Sequence, residues 1–350
     1  MFRAFALAAI SAVNARKVHE FFAENNYKCE LCQQIVEYAK EGKDDEMDMI
    51  YRQFPSLLDQ INSFYPRRDE IVDYSDPLGT CQRMELCEDP DIFELLFEEQ
   101  PLDLSEHINA THATWVSGVN EKFEGASLKE VKSILGAIVD PEWAIKLPAR
   151  RNQEVADDLP ASFDARAQWP KCNDVINHIR DQSNCGSCWA HGTTEALNDR
   201  ACIASDGAIT KLYSVADTTA CCNFLHCQSM GCNGGQVGTP WKWFENTGVV
   251  SGGDFGDGKL CFDYTMAKCA HHVTSETLPG CDDIKQVQPK CESTCQTNSS
   301  INYSSDKNHS TSSYGINSID EIKTDIFKYG TVTAAFTVHE DFLTYKSGVY

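Results

Sequence analysis

The sequence predicts an α+β protein, helical for most of its length and entering a strand only near its end. Three observations carry that expectation. Cys29, Cys32, Ile35, Val36 and Ala39 recur at helical spacing and fall on one face. From Trp189 to Ala204 the chain lacks proline and is rich in Ala, Glu and Leu, which predicts a helix beginning at Cys188. Ser318-Ile-Asp-Glu321, followed by Ile322, Ile326 and Phe327, predicts a capped helix ending at Gly330, and Val332 to Val338 then predicts a buried strand.

The chain has 350 residues, 42% hydrophobic and 10% aromatic, which suits about two or three globular domains. Its formal net charge of -22 argues against nucleic-acid partners, because an acidic surface repels phosphate backbones. The same acidity suits work at low pH, where part of the carboxylate charge is neutralised.

Residues 1-15 hold Arg3, an apolar run from Ala4 to Val13 and then Val13-Asn14-Ala15, the pattern of a short secretory signal. No later apolar run is long enough to span a bilayer. The 17 cysteines then read as disulfides formed in an oxidising compartment. Sequons at Asn109, Asn298, Asn302 and Asn308 fit the same secretory route, toward a lysosome-like acidic compartment or the outside of the cell.

Residues 18-99 form the first expected unit, with Cys29 and Cys32 opening one helix and Thr80-Cys81-Gln-Arg-Met-Glu-Leu-Cys87 closing the unit. This arrangement resembles saposin-like domains, and the resemblance implies the pairs Cys29 with Cys87 and Cys32 with Cys81. It departs from them in having no cysteine between Cys32 and Cys81 for a central disulfide. Acidic residues predominate here, so contact with anionic lipid is expected only at acid pH.

A second helical piece is expected over 104-136, from Leu104 through Trp115 and Phe123 to Leu128, Val131, Ile134 and Leu135. It resembles the propeptide of cathepsin B, which lies in the substrate cleft in reverse direction and blocks it. Residues 137-158 are irregular and charged, as an exposed processing linker should be, which places maturation near Leu159.

Within 159-350, Arg180-Asp-Gln182-Ser-Asn-Cys185-Gly-Ser-Cys188-Trp189 carries the string shared by papain and cathepsin enzymes. A thiol is mostly protonated at neutral or acid pH, so such an enzyme needs a field that stabilises the thiolate. A helix starting at Cys188 would supply it. The Gln182 amide, with the Cys188 N-H, can donate to a developing oxyanion. By its resemblance the segment is a papain-like peptidase domain, with a helical nucleophile half and the start of a barrel half.

The likeness to cathepsin B implies the pairs Cys172 with Cys202, Cys185 with Cys232, Cys221 with Cys291, Cys222 with Cys227, Cys261 with Cys295, and Cys269 with Cys281. With the saposin-like pairs, this leaves Cys188 as the odd cysteine of the 17. Cys269-Ala-His271-His272 through Cys281 resembles the occluding loop of that family. The resemblance implies that His271 pins the loop to Asp181 and that His272 holds a substrate carboxylate, giving dipeptidyl carboxypeptidase action. The family loop has an arginine anchor, whereas Glu276-Thr277-Leu278 stands here, which predicts a looser loop and more endopeptidase character.

Gly234 and Gly235 resemble the wall that holds substrate backbone, where glycine allows close approach. Neighbouring histidines without further ligand spacing are weak as a metal site, and neither a metal nor a cofactor is expected.

Family enzymes draw the active histidine and its orienting asparagine from the barrel half, and the sequence reaches only the opening of that half, at Tyr345 to Tyr350. The expectation is therefore a cysteine peptidase acting on peptides and proteins through an acyl-enzyme, inactive as these residues alone. The alternative is a non-catalytic homologue that binds lipid or a protein partner.

Overall fold

The computed structural model describes residues 32, 33, 35, 36, 39, 40, 80, 81, 87, 104-111, 114-120, 123, 131, 134-138, 147-149, 156, 158-271, 275-285 and 287-350. The chain divides into two compact units, Met1–Leu102 and Asp103–Tyr350.

In the first unit Cys32, Ile35 and Val36 are helical and buried, as helical spacing requires of one apolar face. Cys32 is bonded to Cys81, and Cys87 is disulfide-bonded. Cys29 and the signal-like segment 1-15 lie outside the described residues.

The second unit is built around one helix. Helix α1 spans Leu104–Thr111 and strand β1 Trp115–Ser117; α2 is Cys188–Ala204, α3 Val215–Cys221, α4 Thr239–Asn246 and α5 Ile319–Tyr329; strand β2 is Tyr345–Gly348. Helix α2 packs against α3, α4 and α5. Trp189, Val215, Phe244, Val249, Val250, Phe262 and Tyr264 form the core around it.

Because α2 is enclosed on several sides, its buried polar groups need partners of their own. Thr193 Oγ1 donates to Trp189 O at 2.8 Å, Thr194 and Thr218 share a 2.9 Å hydroxyl bond, and Asn198 Oδ1 accepts from Tyr213 N. Disulfides Cys172–Cys202, Cys185–Cys232, Cys221–Cys291, Cys222–Cys227, Cys261–Cys295 and Cys269–Cys281 lace the loops to this body.

The helix from Ser318 forms with a capping box: Ser318 Oγ accepts from Glu321 N, and the Glu321 carboxylate accepts from Ser318 N. It stops at Gly330, whose φ of 102° ends the turn. Arg200 on α2 and Asp325 on α5 form an ion pair that joins the two helices.

Two sequence expectations are corrected. The segment 104-136 is not one helical piece. Helix α1 ends at Thr111, and Trp115–Ser117 runs as a strand antiparallel to β2, pairing Trp115 with Gly348 and Val116 with Ser347. Trp115 is buried against the rings of Tyr345 and Tyr350, and the Asn109 side chain bonds both N and O of Ser117, so tertiary packing overrides the helical pattern.

The expected buried strand Val332 to Val338 is also absent: residues 331-339 have no regular structure, and Phe336 is 64% exposed. A strand needs a ladder, and among the described residues none is offered there. The segment is held instead by bonds to its start, Arg200 Nε to Thr331 O at 2.6 Å and Trp241 Nε1 to Thr333 Oγ1 at 3.2 Å.

Candidate active site

Cys188 is the first residue of α2, and Ser187 is its N-cap. The loop before it is folded by its own chemistry. Asp181 Oδ1 accepts from Ser183 N at 2.7 Å, and Ser183 takes a positive φ of 55°. The Cys185–Cys232 disulfide and the 2.9 Å bond from Gly186 N to Cys232 O fasten the loop to the opposite wall. Gln182 Nε2 donates to Cys185 O at 2.8 Å, which brings its amide back toward the start of the helix.

The opposite wall is made by Gly234 and Gly235. A Cβ on Gly235 would stand 2.5 Å from the Trp189 ring and 2.6 Å from Ser229 Oγ, so only glycine lets the wall lie this close. Trp189 is itself fixed by its Nε1 bond to Gly231 O at 3.0 Å.

Residues 134-138 run through the groove between these walls. Gln182 Nε2 donates to Ile134 O at 3.0 Å, and Gly136 N donates to Cys188 Sγ at 3.2 Å. Gly235 N donates to Gly136 O at 2.8 Å, Ile138 N to Gly235 O at 2.9 Å, and Ala137 bridges Gly235 in parallel sense. A Cβ on Gly136 would stand 1.8 Å from Gly186 O, so the strip passes over the loop only because this residue has no side chain.

Covered in this way, the Cys188 thiol has its pKa pushed up, above all by burial. Hydrogen bonds from backbone N-H groups, Gly136 first, oppose that shift without overcoming it. The sequence expectation of a thiol favoured as thiolate by the helix start is therefore not met in this covered state; desolvation outweighs the helix terminus.

His271 has a φ of 40° and its Nε2 lies 2.7 Å from Asp181 Oδ1. Burial raises the Asp181 carboxyl, but the bonds from His271 and from Ser183 N outweigh it and hold the group below its ordinary range. His272 lies outside the described residues. Cys269, His271 and Cys281 stand close enough to suggest a metal site, yet the two sulfurs are joined to each other and offer no thiolates.

Beside His271 a cavity of about 370 Å³ is lined by Ile134, Ile179, Arg180, Asp181, Gln182 and Lys268. His178 bonds Asp254 at 3.3 Å, and Lys268 bonds the same carboxylate at 3.0 Å. The structure thus gathers Cys188, Gln182, Asp181, His271, Gly234 and Gly235 around one groove.

His191 is placed away from the sulfur. Its ring is buried behind the loop, edge-on to Tyr264, with Nδ1 directed at Ser187. Sequence reasoning missed Ser187, Tyr264 and the steric role of Gly136. Tyr264 meets Ser187 and Gln182 only across 77 and 82 residues, so no local pattern announces the pair, whereas a lone glycine beside an apolar segment was the available signal for Gly136.

Comparison with known proteins bears on this geometry. The family described as Papain family cysteine protease matches residues 159–350. Cathepsin B-like cysteine proteinase 5 of Caenorhabditis elegans is 41% identical over 200 residues, covering 56% of this chain and 58% of that protein. A cathepsin B-like cysteine proteinase of Schistosoma japonicum is 37% identical over 260 residues, covering 73% of each. Among solved structures, proCathepsin B S9 from Trypanosoma congolense has a TM-score of 0.55 at 27% identity, over 72% of this chain and 76% of that one. The chain spans 58% and 57% of the lengths of two curated C. elegans relatives.

Proposed function

Because the chain belongs to the papain family of cysteine proteases, we propose that it is the precursor of a cathepsin B-like peptidase that cleaves peptides and proteins through an acyl-enzyme on Cys188. The observation that carries this reading is the strip 134-138 bonded at once to the Gln182 amide, the Cys188 sulfur and the Gly235 backbone. Those are the contacts a peptide substrate needs, and here the chain's own backbone makes them.

In the open enzyme the Cys188 thiolate attacks the scissile carbonyl, forming an S-C bond. The negative charge on the carbonyl oxygen is received by the Gln182 amide and the Cys188 N-H. The C-N bond then breaks as the amine takes a proton from a general acid, the histidine that family enzymes draw from the barrel half, and water hydrolyses the thioester, releasing the carboxylic acid and restoring the thiol. Uncovering the sulfur removes the burial that raises its pKa, so release of the strip both opens the groove and frees the helix terminus to favour thiolate.

Further parts of the reading rest on resemblance and pattern. Residues 1-15 serve as a secretory signal, 104-136 as the propeptide and 137-158 as the linker cut near Leu159, in a lysosome-like or extracellular setting. The occluding loop from Cys269 to Cys281 allows endopeptidase action with dipeptide release from carboxyl ends. Residues 18-99 form a saposin-like unit suited to lipid contact at acid pH.

The test is Cys188 labelling by a peptidyl epoxide before and after acid processing. The expected result is slow labelling of the intact chain and fast labelling once residues up to 158 are removed. Absence of labelling after that removal would count against the proposal.

A further inference from the structure

The loop that carries Gln182 and Cys188 is held from behind by a chain of hydrogen bonds. Tyr264 OH donates to Gln182 O at 2.8 Å, and Ser187 Oγ lies 2.9 Å from the same phenol oxygen. His191 Nδ1 lies 3.0 Å from Ser187 O and 3.2 Å from Ser187 Oγ. All three side chains are buried, Ser187 at 0%, Tyr264 at 6% and His191 at 7% exposure.

The proton positions follow from the two ends, because both are carbonyl oxygens that can only accept. Tyr264 spends its proton on Gln182 O, so the Ser187 hydroxyl must donate to Tyr264. Ser187 O already accepts from Ala190 N and His191 N, and it faces His191 Nδ1 at 3.0 Å, where an unprotonated nitrogen would set lone pair against lone pair, so Nδ1 carries the proton. Nε2 is left bare, and it is buried with no hydrogen-bond partner among the described residues.

We propose that His191 is a positioning residue for the oxyanion hole: as a neutral ring protonated on Nδ1 it fixes Ser187 and, through Tyr264, the backbone of Gln182. This rests on the peptidase reading above for what the hole is used for, but the clamp itself is independent of it. A hydrocarbon ring at this position would fill the same space but drop the ring N-H from Ser187, leaving its carbonyl oxygen only the helix bonds from Ala190 N and His191 N.

Burial is the main reason that the His191 pKa is pushed down to about 4, against the pull of the Ser187 bond. Arg180 faces the ring as a cation and adds to the depression, while Asp181 and Asp254 oppose it as anions. Tyr264 is the remaining titratable neighbour and has its own pKa raised by burial, so it stays a phenol. The clamp therefore persists in a moderately acidic compartment and fails only under stronger acid, when Nε2-H would need an acceptor that the site does not offer.

The test compares the full-length wild type with H191F and H191N. H191F keeps the ring and loses the N-H; H191N offers an amide N-H near the Nδ1 position and does not titrate. Two reagents report on Cys188. Acylation by p-nitrophenyl acetate forms an S-C bond, passes through an oxyanion and expels nitrophenolate, whereas alkylation by iodoacetamide forms no oxyanion. The ratio of the two rates isolates the hole, and the same strip covers the groove in all three proteins.

Since losing an oxyanion donor costs on the order of a hundredfold, misplacing one in H191F should lower the ratio by roughly tenfold or more. H191N should recover it to within about threefold, and the fall of the wild-type ratio below about pH 4 should be missing in H191N. Imidazole 15N shifts of the intact wild type should show the Nδ1-H tautomer, a measurement that needs no variant to fold. An Nε2-H tautomer, or an H191F ratio equal to wild type, would overturn the inference. Failure of wild-type Cys188 to react with a peptidyl epoxide after processing would instead overturn the peptidase reading and leave the tautomer result standing.

Discussion

The substitution Gly136→Ala adds one methyl group at the point where the strip crosses the nucleophile loop. Its Cβ would stand 1.8 Å from Gly186 O and 2.4 Å from Gly186 C. The obstacle is backbone, so no side chain can rotate aside, and the strip must withdraw by roughly 1.6 Å to reach ordinary contact at 3.4 Å. That distance breaks the bonds from Gly136 N to Cys188 Sγ and from Gly235 N to Gly136 O. At about 1 kcal/mol net for each, the covered state loses about 2 kcal/mol, or roughly thirtyfold in its population relative to the open one. Less burial also lowers the thiol pKa, which acts in the same direction. Cys188 is the free cysteine among the described residues, so its alkylation by iodoacetamide, read by peptide mass, measures the opening. Alkylation of Gly136→Ala at the wild-type rate, with near-UV circular dichroism unchanged, would refute the argument that steric closeness at Gly136 holds the strip down.

Three further substitutions test the body of the second unit. Glu195 has its pKa raised to about 7, by burial first, with Arg180 opposing. A carboxyl raised in the folded state stabilises below its unfolded value and loses that contribution as pH rises through the folded one. The slope of stability between about pH 4.5 and 7 should therefore flatten in Glu195→Gln, by an amount on the order of 3 kcal/mol in urea unfolding across that range. Ser318→Ala removes the side-chain half of the α5 capping box and should cost about 1 kcal/mol, seen as a lower thermal midpoint. Asp325→Ala leaves the Arg200 cation without its buried partner and should cost about 3 to 5 kcal/mol, part of it recovered when Arg200 is also replaced by Met, which itself gives up the bond to Thr331 O.

The sequence exposed the elements whose signals are local. The start of α2 at Cys188 and the capped α5 follow from composition, a capping residue and spacing within a few turns, and the Cys-Gly-Ser-Cys-Trp string carried the papain-like fold with them. Val332 to Val338 misled because an apolar, β-branched run describes a surface that fits a sheet without saying whether a neighbouring strand is present. Trp115 misled in the opposite sense: its helical spacing yielded to a partner strand at the far end of the chain. In the site, Cys188 and Gln182 stand in one short string and were legible together. The Ser187, Tyr264 and His191 arrangement was not, since Tyr264 reaches the loop from 77 residues beyond Ser187 and no local pattern announces that meeting.

The strip over the sulfur and strand β1 differ in how far along the chain their partners lie. Gly136 and Cys188 are separated by 52 residues, whereas Ser117 meets Thr344 across 227. Loop closure grows as the logarithm of that span, so the strand pair costs about 1.3 kcal/mol more chain entropy than the contact over the sulfur. It also cannot form until residues 345-348 have left the ribosome. The order of assembly is thereby biased: the contacts over the thiol need only residues up to 235, and β1 pairs with β2 after them. A reactive sulfur in a chain with so many disulfide-forming cysteines is in this way withdrawn from thiol exchange during the interval in which mispairing would do most harm.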